Sequence, residues 1–427
     1  MSISIIPSES IREKNESWLD KLVRTGVINR LRKINVGRLI LLEKNERMVF
    51  GEELSEGCIE VVINVRHTRF YSSIAFGGSV GAGESYMYGD WECDDLTSLV
   101  RLLLINRDVL DGMDGHFARL KTPFFKLFHW LNRNTREGSK KNISAHYDLG
   151  NDFFSLFLDK NMMYSSAVYP DKDSTLEQAA DYKLDLICLK LQLTEQDHVI
   201  EIGTGWGGFA IHAAKHYGCK VITTTISNEQ YQMAKQRIEN EGLSDQITVL
   251  LKDYRDLEGK YDKLVSIEMI EAIGHHYIDT YFKKCSDLLK PDGQMLIQAI
   301  TIADQRYEEA LKEVDFIKRY IFPGCFIPSI TAMQNALTKS TDMKISNLED
   351  IGPHYAKTLY DWRQAFFKHI ATVKEQGYSD EFIKMWEFYL CYCEGGFEER
   401  VIGNVQLLLA KPDNRATIWG ASVRLST

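Results

Sequence analysis

Three short stretches carry residue types that can do chemistry. VIEIGTGWGGFA (199–210) sets Gly203, Gly205 and Gly208 in G-x-G-x-x-G spacing after an apolar run. Such a turn lets backbone approach a nucleotide closely, and alone it suggests a dinucleotide site. SIEMIEAIG (266–274) places Glu271 near the end of an apolar strand, at the sheet edge where open α/β folds bind ligands. IGPHYAKTLYDW (351–362) offers Tyr355, which by itself suits a core aromatic with a satisfied hydroxyl equally well. His275 and His276 are adjacent and have no carboxylate or Cys at helical spacing, so they read as loop histidines. The eight cysteines lack CxxC pairs, which fits reduced thiols and gives no metal site.

The neighbours of the glycine turn shift its meaning. Glu201 stands two residues before Gly203, giving E-x-G-x-G. The next strand, KVITTTIS, ends on Thr and Ser without the acid that an NAD ribose normally bonds. E-x-G-x-G resembles the turn of S-adenosylmethionine methyltransferases, whose ligand has no pyrophosphate. There the glycines, with Gly207 among them, admit an amino acid and a ribose against the backbone. A dinucleotide, or a turn that only packs strand on helix, remains the alternative.

These residues need a sheet to position them. From about 180 to 300 the pattern alternates: DYKLDLICLKLQL (helix), HVIEIG (strand), GGFAIHAAKHYG (helix), KVITTTIS (strand), EQYQMAKQRIENEG (helix), ITVLLKD and KLVSIEMI (strands), IDTYFKKCSDLLKPDG (helix), QMLIQAITI (strand). This order predicts a mostly parallel α/β sheet covered on both faces. Upstream, 17–34 reads as a helix bent at Gly26. Residues 36–75 hold strand-like runs such as RLILLE and IEVVINV; a glycine-rich aromatic stretch and a leucine-rich helix near 95–110 follow.

At 427 residues, 44% hydrophobic and 11% aromatic, the chain can bury two cores. Its net charge of −9 gives no reason to expect a nucleic-acid partner. No apolar run reaches eighteen residues, and Glu9, Arg12 and Glu13 interrupt the start where a signal peptide would be apolar, so a cytoplasmic protein is expected. Phe117–Lys141 differs: seven basic residues stand against Glu137 alone, interleaved with Phe124, Phe125, Phe128 and Trp130. That composition suits a surface resting on anionic lipid. It also suits an interdomain linker, and Pro123 interrupts any continuous amphipathic helix.

NISAHYDLGNDFFSLFLDKNMMYSSAVYP, VIEIGTGWGGFA, TTISNEQ, LLKDYRDL, SIEMIEAIG, KRYIFPGCFIPS and IGPHYAKTLYDW follow one another in an order that resembles the cyclopropane fatty acyl phospholipid synthases. The resemblance runs from about Gly77 to CEGGFEERVIGNVQLLLAKP. It implies a Rossmann-like, seven-stranded methyltransferase sheet with helices on both faces and a smaller mixed amino-terminal domain. The divisions expected are 1–115 for that domain, 116–141 for the basic linker and 142–427 for the catalytic domain.

The chemistry implied is transfer of methylene from S-adenosylmethionine to the cis double bond of a phospholipid acyl chain. An alkene is a feeble nucleophile, so it must be held in line with the sulfonium methyl in a dry slot. A carbocation follows, and a proton must leave the added methyl to close the ring; in the family a bound bicarbonate takes it. By resemblance Glu271 orients that anion, Tyr355 assists, and the backbone of Ile300 contributes. The acid and the anion would then titrate as a coupled pair. For the cofactor the resemblance gives Tyr164 and Ser165 near the methionine carboxylate and Gly203 and Gly205 beneath it. It puts Thr225, Ile226 and Gln230 on the ribose side, with Tyr254 or Asp253 by the adenine. The partner implied is membrane phospholipid, visited from the inner face, and a homodimer is expected.

Three positions depart from the family pattern. Ser166 stands where Cys is common, its hydroxyl still able to donate to an anion. Gln298 replaces a frequent His and cannot relay a proton, and Ala272 follows Glu271 where His is frequent. Some relatives stop at a methyl-branched unsaturated chain and others methylate amines, so ring closure is the favoured product among three. Neutralising Lys121, Lys126, Arg133 and Arg136 together is expected to weaken binding to anionic vesicles by up to about 1 kcal/mol per charge, less at high salt. Unchanged vesicle binding would make the segment a linker.

Overall fold

The computed structural model describes residues 18–51, 57–107 and 149–416, so the basic aromatic stretch 117–141 lies outside the described residues. Among them, 18–95 with 106–107 form a smaller unit, and Leu96–Ile105 with 149–416 form a larger one.

In the smaller unit, helix α1 (Trp18–Leu31) passes through Gly26 without the expected bend. Nothing lies within 4 Å of where a Cβ on Gly26 would stand, so the glycine faces open space and the helix simply continues. Strands β1 (Arg38–Glu43), β2 (Glu46–Gly51), β3 (Glu60–Val65) and β4 (Trp91–Cys93) form a sheet in the order β2-β1-β3-β4. The strand-like reading of 36–75 holds only to Val65, because helix α2 takes Arg69–Met87. Its glycines kink it instead of dissolving it: Gly78 adopts φ 57, and a Cβ on Gly81 would stand 2.0 Å from the Ser73 carbonyl oxygen. A buried carboxylate joins the layers. Glu43 of β1 accepts from Arg24 of α1 at 2.7 Å and from the Tyr71 hydroxyl of α2 at 2.8 Å. Burial and that carboxylate push the Tyr71 phenol up, so it stays a donor.

The larger unit is built on β5 (His198–Ile202), β6 (Lys220–Thr225), β7 (Ile247–Leu251), β8 (Tyr261–Ile267), β9 (Leu289–Ile302), β10 (Lys344–Asp350) and β11 (Ile402–Ala410). Their order is β10-β11-β9-β8-β5-β6-β7, the seven-stranded sheet expected. Neighbours from β9 through β8, β5 and β6 to β7 are parallel; β11 enters antiparallel to both β9 and β10. Chain order turns back at β5 with β8 on one side and β6 on the other, which opens a crevice at the carboxyl end of β5.

Alternation along each strand feeds two apolar layers. Ile200, Ile202, Leu264 and Ile297 pack with Tyr281, Phe282 and Leu288 of α8 (Ile278–Leu288). Val199, Val265, Leu296 and Leu408 pack with Leu184, Ile187 and Leu191 of α5 (Leu176–Leu191), and with Phe209 and Ala213 of α6 (Gly208–Tyr217). A full capping box starts α5, with Thr175 and Gln178 bonding each other's backbone. Helix α7 (Asn228–Asn240) follows β6 and is capped by Ser227. Short α4 (Asn151–Phe154), α9 (Asp304–Ala310) and α12 (Ile370–Glu375), with α10 (Ile330–Ser340), complete the smaller pieces. Two long helices, α11 (Gly352–Lys368) and α13 (Asp380–Glu398), pack on each other near β11.

The leucine-rich helix, α3 (Leu96–Ile105), belongs to this larger unit by packing on α13. Arg101 bonds Glu399 at 2.7 Å, and the helices meet so closely at Gly395 that a Cβ there would stand 2.7 Å from Val100 Cγ1. Gly395→Ala is therefore expected to destabilise the larger unit by about 1–3 kcal/mol through overpacking. Adding Val100→Ala should recover only part of the loss in a thermal melt, because the Val100 Cβ would still stand 2.9 Å away, and an unchanged midpoint for the single variant would refute the close contact.

Candidate active site

Between β5 and α6 the turn Gly203–Gly207 adopts positive φ at Gly203 (97), Gly205 (51) and Gly207 (86). Side chains rarely adopt these values, which accounts for three glycines in five residues. Gly208 begins α6 so close to the loop at Asn161, upstream of α5, that a Cβ would meet the Asn161 carbonyl oxygen at 2.6 Å. Around Gly205 nothing lies within 4 Å of that position. Thr204 Oγ1 beside it is buried without a partner. The turn thus keeps open space and an unfilled hydrogen-bonding group, as a surface that receives a ligand requires.

Glu201 does not reach that space. Its carboxyl accepts from Thr223 Oγ1 of β6 at 2.6 Å, inside the sheet, and burial pushes it up to about 8. Thr225, Ile226 and Gln230 lie together where β6 meets α7. The Gln230 amide oxygen accepts from Thr225 Oγ1 at 2.8 Å, which turns its NH2 the other way. Asp253, expected near the adenine, receives the Arg255 guanidinium on both its oxygens, at 2.8 and 2.7 Å. Tyr254 is buried in the apolar layer against Tyr281, with the Arg255 guanidinium 5.5 Å from its ring centroid.

At the carboxyl ends of β8 and β9 a second constellation forms around a residue the sequence reading passed over, Glu268. One carboxylate oxygen, Oε1, accepts from the Ser166 backbone N–H at 2.9 Å, Gln298 Nε2 at 2.8 Å and Asn404 Nδ2 at 2.6 Å. The other, Oε2, accepts from the Tyr355 hydroxyl at 2.8 Å. Burial holds the Tyr355 phenol protonated, and the ring stacks on Phe397 at 4.4 Å. Every partner donates, the acceptor-only pattern of a carboxylate. Glu268 itself has φ 48, a left-handed value uncommon outside glycine, and its N–H bonds the Gln298 carbonyl. The expected strand KLVSIEMI therefore stops at Ile267, because Glu268 turns its side chain into the cage.

The orientation of Gln298 is fixed from a distance. Lys190 of α5 can only donate, and it does so to Gln406 Oε1 at 2.6 Å and to Glu349. Gln406 must then present Nε2, which bonds Gln298 Oε1 at 3.1 Å across the β11–β9 pair. Gln298 in turn points its own Nε2 at Glu268 and at the Ser166 carbonyl.

Glu271 lies three residues on, its Oε1 accepting the Ile300 N–H at 2.5 Å and its Oε2 buried without a partner. Burial and the neighbouring charge of Glu268 push it up to about 8, so at neutral pH Glu271 holds its proton. Fully buried Lys183 donates to Ser165 Oγ at 2.8 Å and feels the charges of Glu268 and Asp159; burial brings it down to about 8. Tyr164 shares a hydrogen bond with the Tyr389 hydroxyl at 3.0 Å, and its ring lies 5.2 Å from Trp362 and 6.2 Å from Phe322.

Ser166, Gln298, Ile300, Glu271 and Tyr355 are thus brought together, but around Glu268. The Ser166 hydroxyl does not face an anion: it donates to the Ala167 carbonyl, and only the backbone N–H serves the cage. The two clusters adjoin, since a Cβ on Gly203 would come within 3.0 Å of Met269 Cγ, one residue past Glu268.

A model of the mycolic acid cyclopropane synthetase family matches residues 134–407. The tuberculostearic acid methyltransferase of Mycobacterium tuberculosis is 36% identical over 341 residues, 78% of this chain and 79% of that protein. The cyclopropane-fatty-acyl-phospholipid synthase of Escherichia coli K12 is 36% identical over 350 residues, 82% of this chain and 87% of that one. Among solved structures, a mycolic acid cyclopropane synthase complexed with SAH and CTAB superposes with a TM-score of 0.58 at 30% identity. It covers 64% of this chain and 98% of its own. The chain belongs to the mycolic acid cyclopropane synthetase family and is an S-adenosylmethionine-dependent methyltransferase acting on lipid acyl chains.

The proton on Glu271 has a measurable signature. A buried acid raised to about 8 keeps its proton in the fold where the unfolded chain has lost it. Its contribution is therefore whole below the ordinary carboxylate range and is lost as pH rises toward about 8. Thermal melts should show Glu271→Gln gaining on the unchanged protein between about pH 5 and about pH 8. A difference that does not move with pH would mean that Glu271 is ionised throughout.

Proposed function

We propose that this methyltransferase adds a methylene to the cis double bond of an acyl chain within a membrane phospholipid, forming a cyclopropane ring. The observation that carries the reading is the contact of the carboxylate cage with the glycine turn through Met269 and Gly203. It sets a group able to receive a proton beside the turn where the methyl donor would be held. The open space at Gly205 and the unpartnered Thr204 Oγ1 fit S-adenosylmethionine, with Tyr164, Ser165, Gly203, Thr225, Ile226 and Gln230 as its expected neighbours. When bound, S-adenosylmethionine supplies an electrophilic methyl carbon.

What the chain adds is dryness, orientation and a place for a proton. Phe322, Trp362 and Tyr389 surround Tyr164 with rings, a wall that would exclude water from a cationic intermediate. Neutral Glu271 avoids a second negative charge beside Glu268. The acyl chain is expected to be drawn from the bilayer surface at the cytoplasmic face; among the described residues no helix is long and apolar enough to cross a membrane.

A second reading has a specific support. The tuberculostearic acid methyltransferase is as similar to this chain as the Escherichia coli synthase, at 36% identity each. A methyl-branched product without ring closure would place this chain with the former. The protein incubated with S-adenosylmethionine and vesicles of a cis-unsaturated phospholipid should yield a fatty acid with high-field ring protons and no vinyl signal in proton NMR. A retained alkene with a new methyl or methylene signal would establish branching instead.

A further inference from the structure

We propose that Glu268 is the proton acceptor of this reaction, standing in the place of a bound bicarbonate. The inference rests on the one-carbon transfer to an alkene proposed above, because that chemistry obliges a proton to leave the added methyl.

The fit of bicarbonate can be tested donor by donor. By resemblance the anion would be held at Ser166, Gln298, Glu271, Tyr355 and the backbone of Ile300. Ser166 N–H, Gln298 Nε2 and the Tyr355 hydroxyl all bond Glu268, and the Ile300 N–H bonds Glu271. Of these groups only Glu271 Oε2 is left without a partner, and Asn404 adds a fourth hydrogen bond to Glu268. The residues present do not fit a free bicarbonate; they fit a carboxylate already attached to the chain. Gln298 belongs to the same arrangement, since its amide both donates to Glu268 and accepts from Gln406.

Geometry also selects the oxygen. A carboxylate offers about four lone-pair directions, two per oxygen. Oε1 takes three donors, whereas Tyr355 is the one partner of Oε2 among the described residues, so Oε2 has a lone pair to spare. In the closing step a C–H bond of the added methyl breaks. Its electron pair forms the third C–C bond of the ring at the cationic carbon, and the proton goes to Oε2 of Glu268. The proton passes to solvent when product leaves, so the carboxylate is regenerated without an added anion. A weak base suffices, because a methyl beside a carbocation is a strong acid; position is what the cage supplies. The left-handed backbone at Glu268 is the cost of that position.

The test is turnover of unsaturated phospholipid vesicles in CO2-free buffer with and without added bicarbonate, alongside binding of [13C]bicarbonate followed by NMR line width. The unchanged protein should turn over equally in both buffers and leave the bicarbonate line sharp. Glu268→Gln should keep S-adenosylmethionine affinity while kcat falls by about 10²–10⁴, the range of a lost general base. Glu268→Gly suits the positive φ and empties the cage, so it should broaden the bicarbonate line and recover part of the lost turnover when bicarbonate is added. Bicarbonate-dependent turnover by the unchanged protein, or near-normal kcat in Glu268→Gln, would overturn the internal base and leave the lipid reaction standing. No one-carbon product in either buffer would overturn both.

Discussion

A single carboxylate receiving four donors organises this active site. The donors of Glu268 come from the loop at Ser166, from β9, from β11 and from α11, elements separated by as many as 238 positions along the chain, counting Ser166 to Asn404. A half-buried charge is held in place by such partners, and removing Glu268 would leave all four donors without this acceptor. The antiparallel insertion of β11 matters for the same reason. It carries Asn404 and Gln406 to the edge of β9, where the register sets Gln406 opposite Gln298.

The electrostatics follow from the crowding of like charges. Glu268 and Glu271 are three residues apart at the end of one strand, and two ionised acids there would repel in a medium that screens poorly. Glu271 receives one backbone N–H and Glu268 four donors, so the proton settles on Glu271. Lys183 sits on the apolar face of α5 with its ammonium fully buried, balancing Glu268 and Asp159 from behind. The resulting site is nearly neutral overall, which suits an apolar chain, yet it holds one fixed negative charge for a transient cation.

Much of this was legible in the sequence, and the omissions have physical reasons. Strict alternation of apolar runs and amphipathic stretches foretold the parallel sheet, because each element's period reports the faces it buries. The glycine turn was legible because Gly203, Gly205 and Gly207 need backbone angles other residues avoid. Glu268 was not, since nothing local marks a glutamate for a left-handed conformation, and in SIEMI it passes for a solvent-facing strand position. Lys183 did leave a signal: it falls on the stripe of Ala180, Leu184, Ile187 and Leu191, where a solvated lysine has no place. Asn404 and Gln406 interrupt a buried strand in the same way, but their partners depend on a register that sequence spacing does not contain. The glycine-rich helix α2 was misread because glycine weakens a helix by propensity, while its packing on α1 and β4 holds it.

The amide chain from Lys190 through Gln406 and Gln298 to Glu268 acts as a relay of orientation. Each member's orientation is dictated by the one before it, beginning with an ammonium that can only donate. Exchanging one residue alone would strand a buried donor or acceptor, at about 1–3 kcal/mol for each group left unpaired. An imidazole at position 298 could not give to Glu268 and Ser166 while taking from Gln406 in the same plane. The four residues are therefore coupled: the chain tolerates a change at one of them only if its neighbour's pairing changes with it.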